Sequence, residues 1–128
     1  MNKLLLNKLS AEILDAAMEV HKEMGPGLLE SVYEYCLVEE LKMRDIYAER
    51  QVFLPLVYKK KQIHKDFRID IMVQHEILIE IKAVDFIIPV HEAQIISYLK
   101  LADKRLGFLI NFNVPLLKNG FRRFVNNF

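Results

Sequence analysis

A single α/β domain, with a central mixed β-sheet flanked by helices, is predicted by three features of the chain. Two segments with helical apolar spacing come first, extended segments follow from Tyr47, and one more helical segment lies between two aliphatic runs. The 128 residues, 52% of them hydrophobic and only four each glycine and proline, suit one compact core rather than disorder.

The elements follow in order. Ser10 is the expected cap of a first helix whose Ile13, Ala17, Val20 and Met24 fall on one stripe, and Gly25-Pro26-Gly27 ends it. A second helix is expected from Leu28 to about Arg44, with Leu29, Val32, Tyr33, Cys36, Leu37 and Leu41 on its apolar face and Glu30 in its first turn. From Tyr47 the period shortens to two. Val52, Leu54, Leu56 and Tyr58 alternate with Phe53, Pro55 and Val57, where Pro55 points to an edge strand or a bulge. The Lys59 to Gln62 cluster reads as a turn into a strand over Ile63 to Val73, and Ile77 to Val84 reads as a strand buried on both faces. A third helix opens near Pro89, Leu106 to Phe112 is another buried strand, and the tail from Gly120 adds a last short one.

Several function classes are disfavoured at once. No apolar run approaches the ~20 residues that cross a bilayer, and Met1 to Leu9 is short and punctuated by lysine, unlike a secretory signal. A soluble, cytoplasmic protein with no membrane partner is the expectation. Cys36 is the single cysteine, so no internal disulfide forms, and His21, His64, His75 and His91 are too scattered for a zinc site. Cys36 is expected to be buried in its helix.

The chemistry concentrates between Asp70 and Lys82. Alternation along a strand places Glu80 and Lys82 on one face and Ile79 and Ile81 on the other. If the chain reverses around Gln74-His75, antiparallel pairing returns Glu80 to Asp70. Two carboxylates beside one lysine, among aliphatic neighbours, call for a compensating hard cation with oxygen ligands. Charge is also divided along the chain, with six basic against ten acidic residues over 1–50 and twelve against seven over 51–128. Lys59, Lys60, Lys61, Lys65 and Arg68 lead into the hairpin, while Lys100, Lys104 and Arg105 follow it. These cations read either as a solvated surface or as contacts to a phosphate backbone. Glu30, taken alone, is an ordinary acid favoured by a helix N-terminus.

Asp70 followed by Glu80-Ile81-Lys82 resembles the core of the PD-(D/E)XK nuclease superfamily, which has the restriction-endonuclease-like fold. Ile69 stands where the superfamily's name has proline. Gly27-Leu-Leu-Glu30-Ser-Val-Tyr33 resembles the signature of the GxxExxY family within it, and the likeness runs on through Arg68-Ile69-Asp70, His91-Glu92-Ala93-Gln94, Tyr98-Leu99 and Gly107-Phe-Leu-Ile-Asn111-Phe112. The resemblance implies a Mg2+- or Mn2+-dependent nuclease acting on DNA or, less expectedly, RNA. It implies that Asp70, Glu80, the Ile81 carbonyl and Glu30, the upstream acid, are metal ligands, and that Lys82 serves the attacking water or the scissile phosphate. Gln94 and Tyr98, on one helix face by their i, i+4 spacing, would orient Lys82 or a phosphate, although Tyr98 reads equally as a core aromatic. Two other readings stay open. One is a silent nucleic-acid-binding or protein-interaction module, and the other is a structural homodimer using Phe121, Phe124 and Phe128.

Overall fold

The structure, a computed structural model, describes residues 1–63 and 67–128. Among these residues the chain runs α1 (Lys3–Met24), α2 (Glu30–Met43), β1 (Ala48–Phe53), β2 (Leu56–Tyr58), β3 (Lys61–Ile63), β4 (Arg68–Val73), β5 (Ile77–Lys82), α3 (Pro89–Ala102), β6 (Leu106–Asn111), a 3-10 turn (Leu117–Gly120) and β7 (Phe121–Val125). Five strands form a mixed sheet in the order β1-β4-β5-β6-β7, and β2 and β3 form a separate hairpin. The predicted α/β class and mixed sheet are present. Among the described residues no helix is long and apolar enough to cross a membrane.

The helix α1 starts earlier than its composition suggests. Asn2 caps it by accepting the Leu5 N–H at 2.8 Å, whereas Ser10 sits inside, buried, donating its hydroxyl to the Leu6 carbonyl at 2.7 Å. The expected cap at Ser10 is therefore wrong. A serine on the buried stripe, with Leu6, Ile13 and Ala17 beside it, satisfies its hydroxyl by back-bonding one turn and needs no helix end. At the other end Gly25 has φ +69° and its N–H returns to His21 O at 2.8 Å, closing α1 as its glycine predicts.

Helices α1 and α2 cover one face of the sheet, where Ile71, Val73, Ile77, Ile79, Ile81, Phe108 and Ile110 join Ile13, Tyr33, Leu37 and Leu41 in the larger core. Helix α3 covers the other, where Met72, Leu78 and Leu109 meet Ile95, Tyr98 and Leu99. Strand β5 is buried throughout except for half-exposed Lys82, paired with β4 on one side and with β6 in parallel on the other. The β5-α3-β6 unit is thus a crossover, so α3 starts at the Lys82 end and returns to the Ile77 end.

Other expectations need adjusting. Lys61–Ile63 is a strand paired with β2, so the turn shrinks to Lys59-Lys60 and β4 begins only at Arg68. Pro55 separates β1 from β2, and β1 is an edge of the main sheet, as a proline allows. Cys36 is only partly buried against the larger core. Phe121, Phe124 and Phe128 are partly buried against the two cores, and the Arg123 guanidinium lies 4.7 Å from the Phe128 ring centre. The three rings are therefore not the fully exposed patch that the homodimer reading drew on.

Candidate functional site

The site forms where β4 and β5 part. Their register runs Val73↔Ile77, Met72↔Leu78, Ile71↔Ile79, and the next step brings Asp70 opposite Glu80. There the ladder stops, and Asp70 Oδ2 accepts the Ile81 N–H at 2.8 Å in place of a main-chain carbonyl. The reversal at Gln74-His75, both at positive φ, sets this register. Because N–H and C=O of one strand residue project to the same edge, the Ile81 carbonyl faces the same gap.

Glu80 is 4% exposed. Burial first, then the hydrogen bond and charge of Asp70, push its carboxyl up to about 10, while the Lys82 ammonium acts in the opposite sense. Two carboxyl groups this close do not both ionise readily, so Glu80 holds a proton at neutral pH unless a cation lies between them. Lys82 follows on the same face. Its carbonyl accepts the Phe112 N–H at 2.9 Å, and it lies opposite Asn111 in the parallel ladder.

The remaining expected residues divide. Gln94 Nε2 donates to the Tyr98 hydroxyl at 3.1 Å, so the two share a helix face. Tyr98, buried in the α3-side core, has its hydroxyl pushed above its usual range by burial and then by the Glu80 charge, with Asp70 adding to it. It is both a core aromatic and a neighbour of the carboxylate pair. Glu30 is exposed at the start of α2, where its Oε2 accepts the Ala83 N–H at 3.2 Å, one residue past Lys82. Tyr33 fixes that helix start by donating to Gly25 O at 2.6 Å and accepting the Leu28 N–H at 3.0 Å, with its ring stacked 4.5 Å from Phe112.

Three residues without a role in the sequence reading belong here. Glu34, one turn beyond Glu30, is 4% exposed and receives Gln51 Nε2 at 2.8 Å and Arg50 Nε at 3.1 Å. Burial raises its carboxyl and the Asp70 charge raises it further, against the Gln51 and Arg50 hydrogen bonds. The i+4 spacing from Glu30 was the available signal. Gln51 stands at the β1 position opposite Asp70 with φ +54°, a left-handed conformation uncommon for glutamine. Asn111, 3% exposed, clamps the segment after β5: Nδ2 donates to Val84 O at 2.9 Å and Oδ1 accepts Val84 N–H at 3.1 Å. The Asn111 carbonyl lies 2.2 Å from where a Cβ on Gly120 would stand, so only glycine fits there.

The basic residues do not form one surface. Arg68 begins β4 two residues before Asp70, and the β2-β3 hairpin carrying Lys59, Lys60 and Lys61 leaves the same end of the sheet. Lys100 is in the last turn of α3, and Lys104 and Arg105 precede β6, which puts all three at the opposite end. Arg105 there donates to the Met1 carbonyl. Lys65 lies outside the described residues.

Among the described residues no group of three or more His, Cys, Asp or Glu side chains is set for a metal ion. The donors that do converge are the oxygens of Asp70 and Glu80, a set that fits Mg2+, which is commonly held by one or two carboxylates with water and substrate phosphate completing its shell.

A mixed sheet that opens around an Asp/Glu pair with a lysine beside it defines a restriction-endonuclease-like domain. The family model of the PD-(D/E)XK nuclease superfamily matches residues 7–124, and the chain belongs to that superfamily. Membership carries a nuclease-type function and a nucleic-acid substrate at superfamily level, and nucleases of this kind generally use divalent metal ions. No curated protein and no solved structure matches the chain.

Proposed function

We propose that the protein is a Mg2+- or Mn2+-dependent nuclease that hydrolyses phosphodiester bonds, of DNA first and RNA second, and that it belongs to the GxxExxY group of its superfamily. The observation that carries the reading is the buried Glu80 carboxyl set opposite Asp70 at the point where Asp70 Oδ2 replaces a main-chain carbonyl in accepting the Ile81 N–H. A protein gains nothing structural from such a pair, whereas a divalent cation turns its repulsion into binding. Asp70, Glu80 and the Ile81 carbonyl would hold the ion, and Glu30, accepting the Ala83 N–H, steadies the segment that follows Lys82. A divalent ion held there would supply an activated water and a counter-charge for the phosphoryl oxygens.

The chain's own groups do the rest. Lys82 places its ammonium where the scissile phosphate gains charge. Glu34, held by Arg50 and Gln51, adds a third carboxyl group to the surroundings of Asp70. Tyr98, aligned by Gln94, fixes the edge of the site next to Glu80. Asn111 fixes the main chain just beyond Lys82.

The test incubates wild type and Lys82→Ala with supercoiled plasmid, linear duplex, single strands and RNA in Mg2+, Mn2+ or EDTA. Metal-dependent cleavage by wild type, lost in Lys82→Ala while metal binding persists, is expected. If wild type cuts none of these substrates, or Lys82→Ala cuts equally well, the protein is instead a binding module with the same fold.

A further inference from the structure

We infer that the β2-β3 hairpin is a docking surface for an unpaired nucleic-acid strand, which makes single-stranded DNA or RNA, rather than uninterrupted duplex, the substrate class of the site; this rests on the nuclease reading above. The hairpin reverses through Lys59 and Lys60 alone, since Tyr58 pairs with Lys61. Both turn residues have positive φ, +47° and +67°. A two-residue hairpin turn of that type favours Asn-Gly, because side chains with a full Cβ resist the left-handed region. Lysine is uncommon at both positions, and its use there sets two ammonium groups at the tip of the hairpin.

Aromatic surface accompanies those charges. Tyr58 is 61% exposed with the Lys59 ammonium 5.4 Å from its ring centre, and Phe53 and Phe67 at the base of the hairpin are 48% and 38% exposed. The base is tied to the sheet, with Leu54 N–H donating to Phe67 O at 2.8 Å and Leu56 packed on the α3-side core. Phe53 lies opposite Arg68, and Arg68 is two residues from Asp70, or about 7 Å along the strand. The surface is therefore continuous with the carboxylate pair. Cations flanking exposed rings match an unpaired strand, whose phosphates take the lysines while its bases stack on the rings; a duplex keeps its bases stacked inside and offers the rings nothing.

Binding is measured by fluorescence anisotropy in EDTA, so that cleavage plays no part, with the full chain and a labelled oligonucleotide presented as a single strand or annealed to its complement. The single strand is expected to bind tighter than the duplex. Tyr58→Ala should weaken single-strand binding roughly 5- to 100-fold and leave duplex binding almost unchanged. The double variant Lys59→Asn/Lys60→Gly should hold or raise the melting temperature, because it suits the turn, yet weaken strand binding and flatten its salt dependence by about 0.7 for each phosphate no longer neutralised. Equal or tighter duplex binding, no binding of either form, or a double variant that binds the strand as wild type does would each overturn the inference. A strand preference that persists in a protein unable to cut would leave the docking surface standing and remove the nuclease reading together with the substrate class that rests on it.

Discussion

The two ends of β5 are built on opposite principles. At the Ile77 end, Ile77, Leu78 and Ile79 have no exposure, β4 and β6 are hydrogen-bonded on either side, and both faces meet helices. Three residues further on, β4 has left the ladder, Asp70 fills the gap, and Glu80 and Lys82 replace aliphatics on the α3 face. The apolar end supplies stability and the charged end draws on it. Groups that repel one another stay at short range only because their strand is fixed a few residues away.

That contrast predicts opposite responses to mutation. Truncating the apolar end, Ile79→Ala, should cost about 2–5 kcal/mol of stability, read as a large drop in denaturation midpoint whether or not metal is present. At the charged end Lys82→Ala should leave the midpoint close to wild type but lower turnover about 100- to 1000-fold. If Lys82→Ala unfolds the protein as Ile79→Ala does, the division between the ends is wrong.

A smaller effect should appear in the pH dependence of stability without metal. The folded state holds the Glu80 proton up to about pH 10, whereas in the unfolded chain it leaves near the ordinary value of 4.5. Between these values the folded protein binds more protons, so its stability falls as pH rises, and the loss is complete above the folded pKa. Melting temperatures from pH 5 to 9 should decline in EDTA, and Glu80→Gln should flatten the decline. A wild-type profile in EDTA as flat as that of Glu80→Gln would show that the carboxyl is not held protonated.

The smallest expected difference separates the two acids of α2. Glu30 is exposed and holds one main-chain N–H, so Glu30→Gln, which keeps the acceptor, should change activity only a few-fold. Glu34 is buried against Arg50, so Glu34→Gln leaves that guanidinium without its charge partner and should weaken metal affinity more than Glu30→Gln does. Equal metal affinities in the two variants would show that Glu34 contributes no more to the cation site than Glu30 does.

What was legible in the sequence follows from how local each feature is. Asp70, Glu80 and Lys82 could be brought together on paper because strand alternation and a short hairpin fix their register within thirteen residues. Gly25, Pro89 and the aliphatic runs of β5 and β6 likewise carry their structure with them. Glu34 was hidden, since nothing near it in the chain says that β1 will bring Arg50 and Gln51 over it. The lysines misled in the same way. Lys59 and Lys104 look alike in a linear charge count, but only the crossover through α3 shows that Lys104 stands at the far end.

The central claim is that Asp70 and Glu80 form a cation site, and thermal melting with and without divalent metal tests it most directly. With free Mg2+ or Mn2+ at about 100 times the dissociation constant, wild type should gain about 2.7 kcal/mol, a shift of several degrees for a domain of this size, and Asp70→Asn should show none. A wild-type melting temperature indifferent to millimolar Mg2+ and Mn2+, or an equal shift in Asp70→Asn, would contradict it.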